Sequence, residues 1–96
     1  MKVTKIKKFG ASWCAPCRAM EKELDEFEKL HPEITVIRLD VEKVENRELL
    51  TSLNISSIPT LMFCFDEDNF DISAGFMSCK EIEDTVKSLD GSKGVT

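Results

Sequence analysis

The sequence lacks any apolar stretch near the roughly 20 residues a bilayer-spanning helix needs. Its lysine-rich opening, Met1 to Lys8, is not followed by the apolar run of roughly 7–15 residues that a secretory signal requires. It also lacks an excess of positive charge. The net charge of −5 argues against a polyanion as partner, because nucleic-acid binders need Lys and Arg to displace counterions from phosphates. The Lys residues between positions 2 and 8 alternate with Val3, Ile6 and Phe9, and so read as the solvated edges of a strand rather than a basic tail. Repeats, low-complexity segments and linkers are missing too. The expectation is one domain over residues 1–90 with a flexible tail over 91–96, binding neither membrane nor nucleic acid.

What is present suits a globule with a single core. With 42% apolar and 32% charged residues in 96, the composition is ordinary, and a chain of this size can bury roughly 60–65% of the surface its unfolded form exposes. Four Cys in a chain without an export signal point to a reducing, cytoplasmic setting, where paired Cys serve catalysis or metal binding more often than crosslinking.

Val3 to Phe9 reads as a strand ending at Gly10, followed by a loop, Ala11-Ser12-Trp13-Cys14. Pro16 suits a first helical turn, and Cys17, Met20, Leu24, Phe27 and Leu30 recur at helical steps until His31-Pro32 stops them. Ile34 to Val41 is rich in β-branched residues, which predicts a parallel partner for the first strand through a right-handed crossover. Leu49, Leu50 and Leu53 predict a short helix over 45–53. Thr60 to Phe65, apolar on both faces, predicts a central strand. After the turn at 66–69, Phe70 to Ser73 predicts an edge strand in a hairpin with it. Ser78 and Glu81 have capping-box spacing, so a last helix starts there and buries Cys79, Ile82, Val86 and Leu89. The expected fold class is α/β, a four-stranded mixed sheet in the order βαβαββα, flanked by helices.

Cys14 and Cys17 bracket Ala15-Pro16 where a strand hands over to a helix. Unpaired amides at a helix start carry partial positive charge and favour a thiolate. Cys17 lies one turn deeper on the same face, placed to resolve a mixed disulfide formed at Cys14. Pro16 stiffens the turn, and Ala15 adds little beyond helix propensity. Zinc is the competing reading, but Cys64 and Cys79 sit in apolar runs and do not supply the second half of a site, so no metal is expected. An inert structural pair is the other alternative.

The segment Phe9-Gly10-Ala11-Ser12-Trp13-Cys14-Ala15-Pro16-Cys17-Arg18 resembles the active-site segment of the thioredoxin family, and Ile58-Pro59-Thr60 resembles its cis-proline loop. The resemblance extends over about residues 3–90 and includes Gly75 before the last helix. It implies a thioredoxin-like three-layer fold and a protein-disulfide reductase that needs no bound cofactor. Cys14 would be the exposed nucleophile and Cys17 the buried resolving thiol. Trp13, Ile58, Pro59 and Gly75 would face the substrate, and Pro59 would be cis. Without the family, Pro59 reads as an ordinary strand-start proline.

Two departures stand out. Thioredoxins usually carry a further strand and helix before the first strand seen here, which implies less cover over one sheet face. The position of the family's buried Asp is held by Lys8. A Lys there would either favour thiolates beneath the pair or swing out into solvent, the latter being the plainer expectation, and slower resolution by Cys17 is expected. Cys64 and Cys79 read as core residues and His31 as a helix-end residue, while the acidic stretches Glu21–Glu28 and Glu42–Glu48 read as solvated helix faces. The expected partners are protein disulfides and a thioredoxin reductase or similar electron donor, with the chain a monomer. The alternatives are a glutaredoxin-like reductase, which Trp13 and Ala15 disfavour, and a binding module with incidental thiols.

Overall fold

In the computed structural model, which describes residues 1–94, the chain forms β1 (Lys5–Gly10), α1 (Ala15–Leu30), β2 (Thr35–Asp40), a 3-10 turn (Val44–Asn46) leading into α2 (Arg47–Ser52), β3 (Thr60–Cys64), β4 (Phe70–Ala74) and α3 (Cys79–Gly94). The strands lie in the order β2-β1-β3-β4. β1 and β2 are parallel, and the β1–β3 and β3–β4 pairs are antiparallel. This is the expected mixed sheet with the expected element order.

Local chemistry explains the helix boundaries. Cys14 is the N-cap of α1 and Pro16 lies in its first turn, where a missing N–H costs nothing. Cys17, Met20, Leu24 and Phe27 form the buried stripe. Pro32 disfavours helical geometry at His31, which leaves the α region with φ −132° and ψ 66°. At α3 the capping box forms as expected. The Glu81 N–H donates to Ser78 Oγ at 3.1 Å, and the Ser78 N–H donates to Glu81 Oε1 at 2.9 Å.

The core has two parts, one on each sheet face. Ile6, Leu61, Phe63 and Phe65 pack against Met20, Leu24 and Phe27 of α1 and Cys79, Ile82 and Val86 of α3. Phe9, Met62 and Cys64 pack on the opposite side beneath Leu49, Leu50 and Leu53 of the α2 segment. β3 is buried along its whole length because both faces are covered. Each fully buried Leu, Met or Phe in the larger cluster contributes roughly 1.5–3 kcal/mol relative to exposure.

Several expectations shift. Val3 is buried but precedes β1; the backbone there still bonds to the sheet through Thr4 N–H to Cys64 O at 2.9 Å. The Val3 N–H itself donates to Asp90 Oδ1 of α3 at 2.7 Å. Phe65 falls just beyond β3. The segment expected as a tail from residue 91 is helical to Gly94, and its last two residues lie outside the described residues. On β4 the apolar side is covered only in part, with Phe70 packed against Phe9, Met62 and Cys64 and Ile72 left open. Ile72 is 40% exposed while one carboxylate oxygen of Asp71 is buried without a hydrogen-bond partner. The edge strand extends past the cover that α2 gives to that face, in line with the thinner cover expected there.

The acidic stretch on α1 is solvated only in part: Asp25 and Glu26 are exposed as expected, but several of its carboxylates are engaged. The Cys79 N–H, at the start of α3, donates to Glu23 Oε1 at 2.8 Å. Arg38 of β2 donates to Glu21 Oε1 at 2.7 Å and to Asp25 Oδ1 at 2.9 Å, and it pairs with Glu28 at 2.9 Å. Placed on the α1 side facing β2 and α3, these carboxylates meet basic and amide partners that the sequence distance conceals. His31 is a helix end as expected, but its ring does more. It stacks on Phe27 with 4.7 Å between centroids and contacts Glu83 of α3 at 2.6 Å.

Candidate active site

Strand register brings three loops to one sheet edge. β1 ends at Gly10 and leads directly into the cysteine loop. Because β3 runs antiparallel to β1 with Phe9 opposite Thr60, Pro59 falls beside that same end. Ala74 of β4 lies opposite Thr60, and the Gly75 N–H donates to Pro59 O at 2.8 Å, so the 74–76 turn joins the group. Gly75 has φ +101°, a region that side chains rarely tolerate. The Ile58–Pro59 peptide bond is cis, not the ordinary trans strand start that the bare sequence suggests.

Cys14 and Cys17 lie at disulfide distance, with their Cα atoms 5.2 Å apart. The Cys17 N–H donates to Cys14 Sγ at 3.3 Å, so this sulfur takes the place of an N-cap side chain and receives one of the otherwise unpaired first-turn amides. Cys14 is 6% exposed and Cys17 1%. Cys14 is therefore the more accessible of the two, as expected, yet it is not an exposed residue. Ala11, Ile58 and Val41 pack around the pair and shut out most solvent. Trp13, by contrast, is 62% exposed beside them. Ala15 and Pro16 are exposed at the helix start. An apolar groove of about 230 Å³ runs from Trp13 past Val41, Leu50 and Ile55 to Ile58.

Lys8 departs from the solvated reading. It is 6% exposed, and its Nζ donates to Cys17 O at 3.0 Å and to Glu21 Oε2. A buried ammonium has to be paired, and here it is. Burial works to raise the Glu21 carboxyl, but hydrogen bonds and charge from Lys8 and Arg38 together outweigh it and hold the group below its ordinary value. Gly10 lacks a side chain where one would be tightly crowded. A Cβ there would lie 3.0 Å from Lys8 Cε and 3.1 Å from Cys17 Sγ. Lys8, Gly10, Cys17, Glu21 and Arg38 line a cavity of about 300 Å³ that reaches the pair from the side between α1 and β2.

Three residues escaped the sequence reading. Glu21 stands four residues after Cys17, on the same helical face, and Arg38 is the β2 partner of Lys8 in register. Spacing alone signals Glu21, whereas Arg38 needs the strand register. Phe76, 47% exposed one residue after Gly75, is a large aromatic at the site edge. Cys64 and Cys79 are both free and buried, and burial pushes both thiols above their ordinary values. Among the described residues no group of three or more His, Cys, Asp and Glu is arranged to hold a metal.

The thioredoxin family model matches residues 2–88. The chain is 30% identical over 81 residues to thioredoxin Asp f 28 of Aspergillus fumigatus, covering 84% of this chain and 73% of that one. It is 46% identical over 55 residues to the thioredoxin of Alicyclobacillus acidocaldarius, covering 56% of this chain and half of that one. Of mitochondrial thioredoxin O1 from Arabidopsis thaliana the match spans 28%. Among solved structures, chloroplastic thioredoxin z superposes with a TM-score of 0.79 at 26% identity, covering 94% of this chain and 80% of that one. A cysteine pair at disulfide distance across the first turn of a helix, on this sheet, is the equipment of a thiol-disulfide oxidoreductase. The chain belongs to the thioredoxin family.

Proposed function

We propose that this chain reduces disulfide bonds in proteins, with Cys14 as the attacking thiol and Cys17 as the resolving one. The observation that carries the reading is the pair at disulfide distance, with Cys14 as the N-cap of α1. The Cys14 thiolate attacks one sulfur of the target disulfide, forming a mixed disulfide and releasing the other target sulfur as a thiolate. Cys17 then attacks Cys14 Sγ, and the bond between Cys14 and the target breaks. The two sulfurs carry both electrons, so the reaction requires no bound cofactor.

Trp13, Ile58, Pro59 and Gly75 form the receiving surface in this reading. The groove beside Trp13 and Ile58 supports an extended target segment lying across it. The Gly75 N–H is already engaged by Pro59 O, and in this reading Ile58 offers backbone hydrogen bonds to a target strand. Pro16 holds the first turn. A thioredoxin reductase or similar donor returns the pair to the dithiol. The chain acts as a monomeric electron carrier in a reducing, cytoplasmic setting, a placement that the free thiols Cys64 and Cys79 support. No helix among the described residues is long and apolar enough to cross a membrane.

The test is the rate of insulin disulfide reduction with a dithiol donor. The wild-type chain accelerates it and Cys14→Ser does not. Equal rates for the two would refute the proposal.

A further inference from the structure

The proposed reaction leaves one matter open, namely what stabilises the negative charge on Cys17 when its thiol opens to attack Cys14. Resting on that reading, we propose that the Lys8 ammonium is a positioning group that favours the Cys17 thiolate, and that Glu21 and Arg38 form the clamp that sets how strongly its charge is felt.

The geometry carries the inference. Lys8 Cε and Cys17 Sγ both lie within 3.1 Å of one point, the place a Cβ on Gly10 would occupy. The Lys8 side chain, from β1, therefore has its Cε no more than about 6 Å from the buried Cys17 Sγ on α1. Its hydrogen bond to Cys17 O fixes it to the residue whose sulfur must ionise. The far side of the ammonium is held by Glu21, which in turn is held by Arg38. An opposite charge within about 4–6 Å favours the ionised form of its neighbour.

Glu21 itself is ill suited to take the Cys17 proton. It already accepts from Lys8 and Arg38, and they hold its carboxyl below the ordinary value despite the opposing effect of burial. The charged groups facing the cavity are Lys8 from β1, Arg18 and Glu21 from α1, and Arg38 and Asp40 from β2. The cavity gives water a path to the interior side of the pair. In the balanced step the Cys17 S–H gives its proton to water there, and its thiolate forms the bond to Cys14 Sγ. The electron pair of the breaking bond leaves on the target sulfur, which takes a proton from solvent. Glu21 neutralises part of the Lys8 charge, so its removal strengthens the effect of Lys8 on Cys17.

The experiment titrates the ultraviolet absorbance of the Cys17 thiolate in reduced Cys14→Ser, alone and combined with Lys8→Met or Glu21→Gln. Burial pushes the Cys64 and Cys79 thiols above their ordinary value, which displaces their titration upward. Lys8→Met is expected to move the Cys17 titration up by about one pH unit, roughly a tenfold loss of thiolate below the midpoint. With Cys14 intact, this variant resolves a mixed disulfide about threefold more slowly at neutral pH, because the thiol of higher pKa is the better nucleophile and offsets part of the tenfold loss. Glu21→Gln is expected to move the titration down. An upward shift with Glu21→Gln, or no shift, would overturn the clamp. A Cys17 titration unmoved by Lys8→Met would reduce Lys8 to a structural pin. Should Lys8→Met not fold, Lys8→Gln, which removes the charge but keeps a hydrogen-bond donor for Cys17 O, makes the same test. The titration uses neither target nor reductase, so failure of insulin reduction leaves its result standing.

Discussion

Gly10→Ala tests whether the packing under the cysteine pair is as tight as the geometry says. A methyl group there meets Lys8 Cε at 3.0 Å, Cys17 Sγ at 3.1 Å and Cys17 Cβ at 3.3 Å. Contact distances for such atoms are about 3.5–4.0 Å, so three neighbours would each have to retreat. A lysine tip is usually free to move, but this one is buried and bonded to both Cys17 O and Glu21. The sulfur is fixed through α1. Overpacking of this kind costs about 1–3 kcal/mol, and in a domain of this size each kcal/mol lowers the melting temperature by roughly 4–8 °C. Urea unfolding of the oxidised protein measures the loss. Combining Gly10→Ala with Lys8→Ala removes one of the colliding atoms, so the double variant loses less than the two singles added together. A Gly10→Ala protein as stable as wild type, with no coupling to Lys8, would refute the reasoning.

Other outcomes follow from the same structure. Leu24→Ala removes a fully buried side chain between α1 and the sheet and should cost about 2–5 kcal/mol in denaturant unfolding. Ser78→Ala breaks the capping box of α3 and should cost about 1 kcal/mol, while Ser78→Asp, which keeps an acceptor, should lose much less, as read from thermal melts. The Glu21 carboxyl titrates lower in the folded chain than its unfolded value of 4.5, so the unfolded chain binds more protons between the two values. The stability it contributes is complete above that unfolded value and declines as pH falls through the folded one. Glu21→Gln should therefore flatten the acid limb of a stability-against-pH curve, with the difference from wild type vanishing at the lowest pH.

The elements that sequence periodicity specifies are those whose partners lie on one face. α1 shows its stripe because Met20, Leu24 and Phe27 all meet the same sheet side, and β3 shows an unbroken apolar run because both its faces are covered. The cysteine pair was legible because its spacing and its place at a strand-helix junction carry their own chemistry. The Lys8 arrangement was not. Its partners stand nine, thirteen and thirty positions away, and only folding in register turns a lysine among other lysines into a buried, clamped charge. The exposure of Ile72 on the edge strand was not legible either. Alternation identifies two faces of a strand but does not say which one a helix will cover.

The bond from the Val3 N–H to Asp90 ties the beginning of the fold to its last helix, at the end of β1 away from Gly10. Traffic at the redox edge and attachment to other polypeptide thus occupy opposite poles of the molecule. A carrier built this way can be tethered before Val3 or after α3, or joined end to end and reopened at the 66–69 turn, while the approach to Cys14 stays clear.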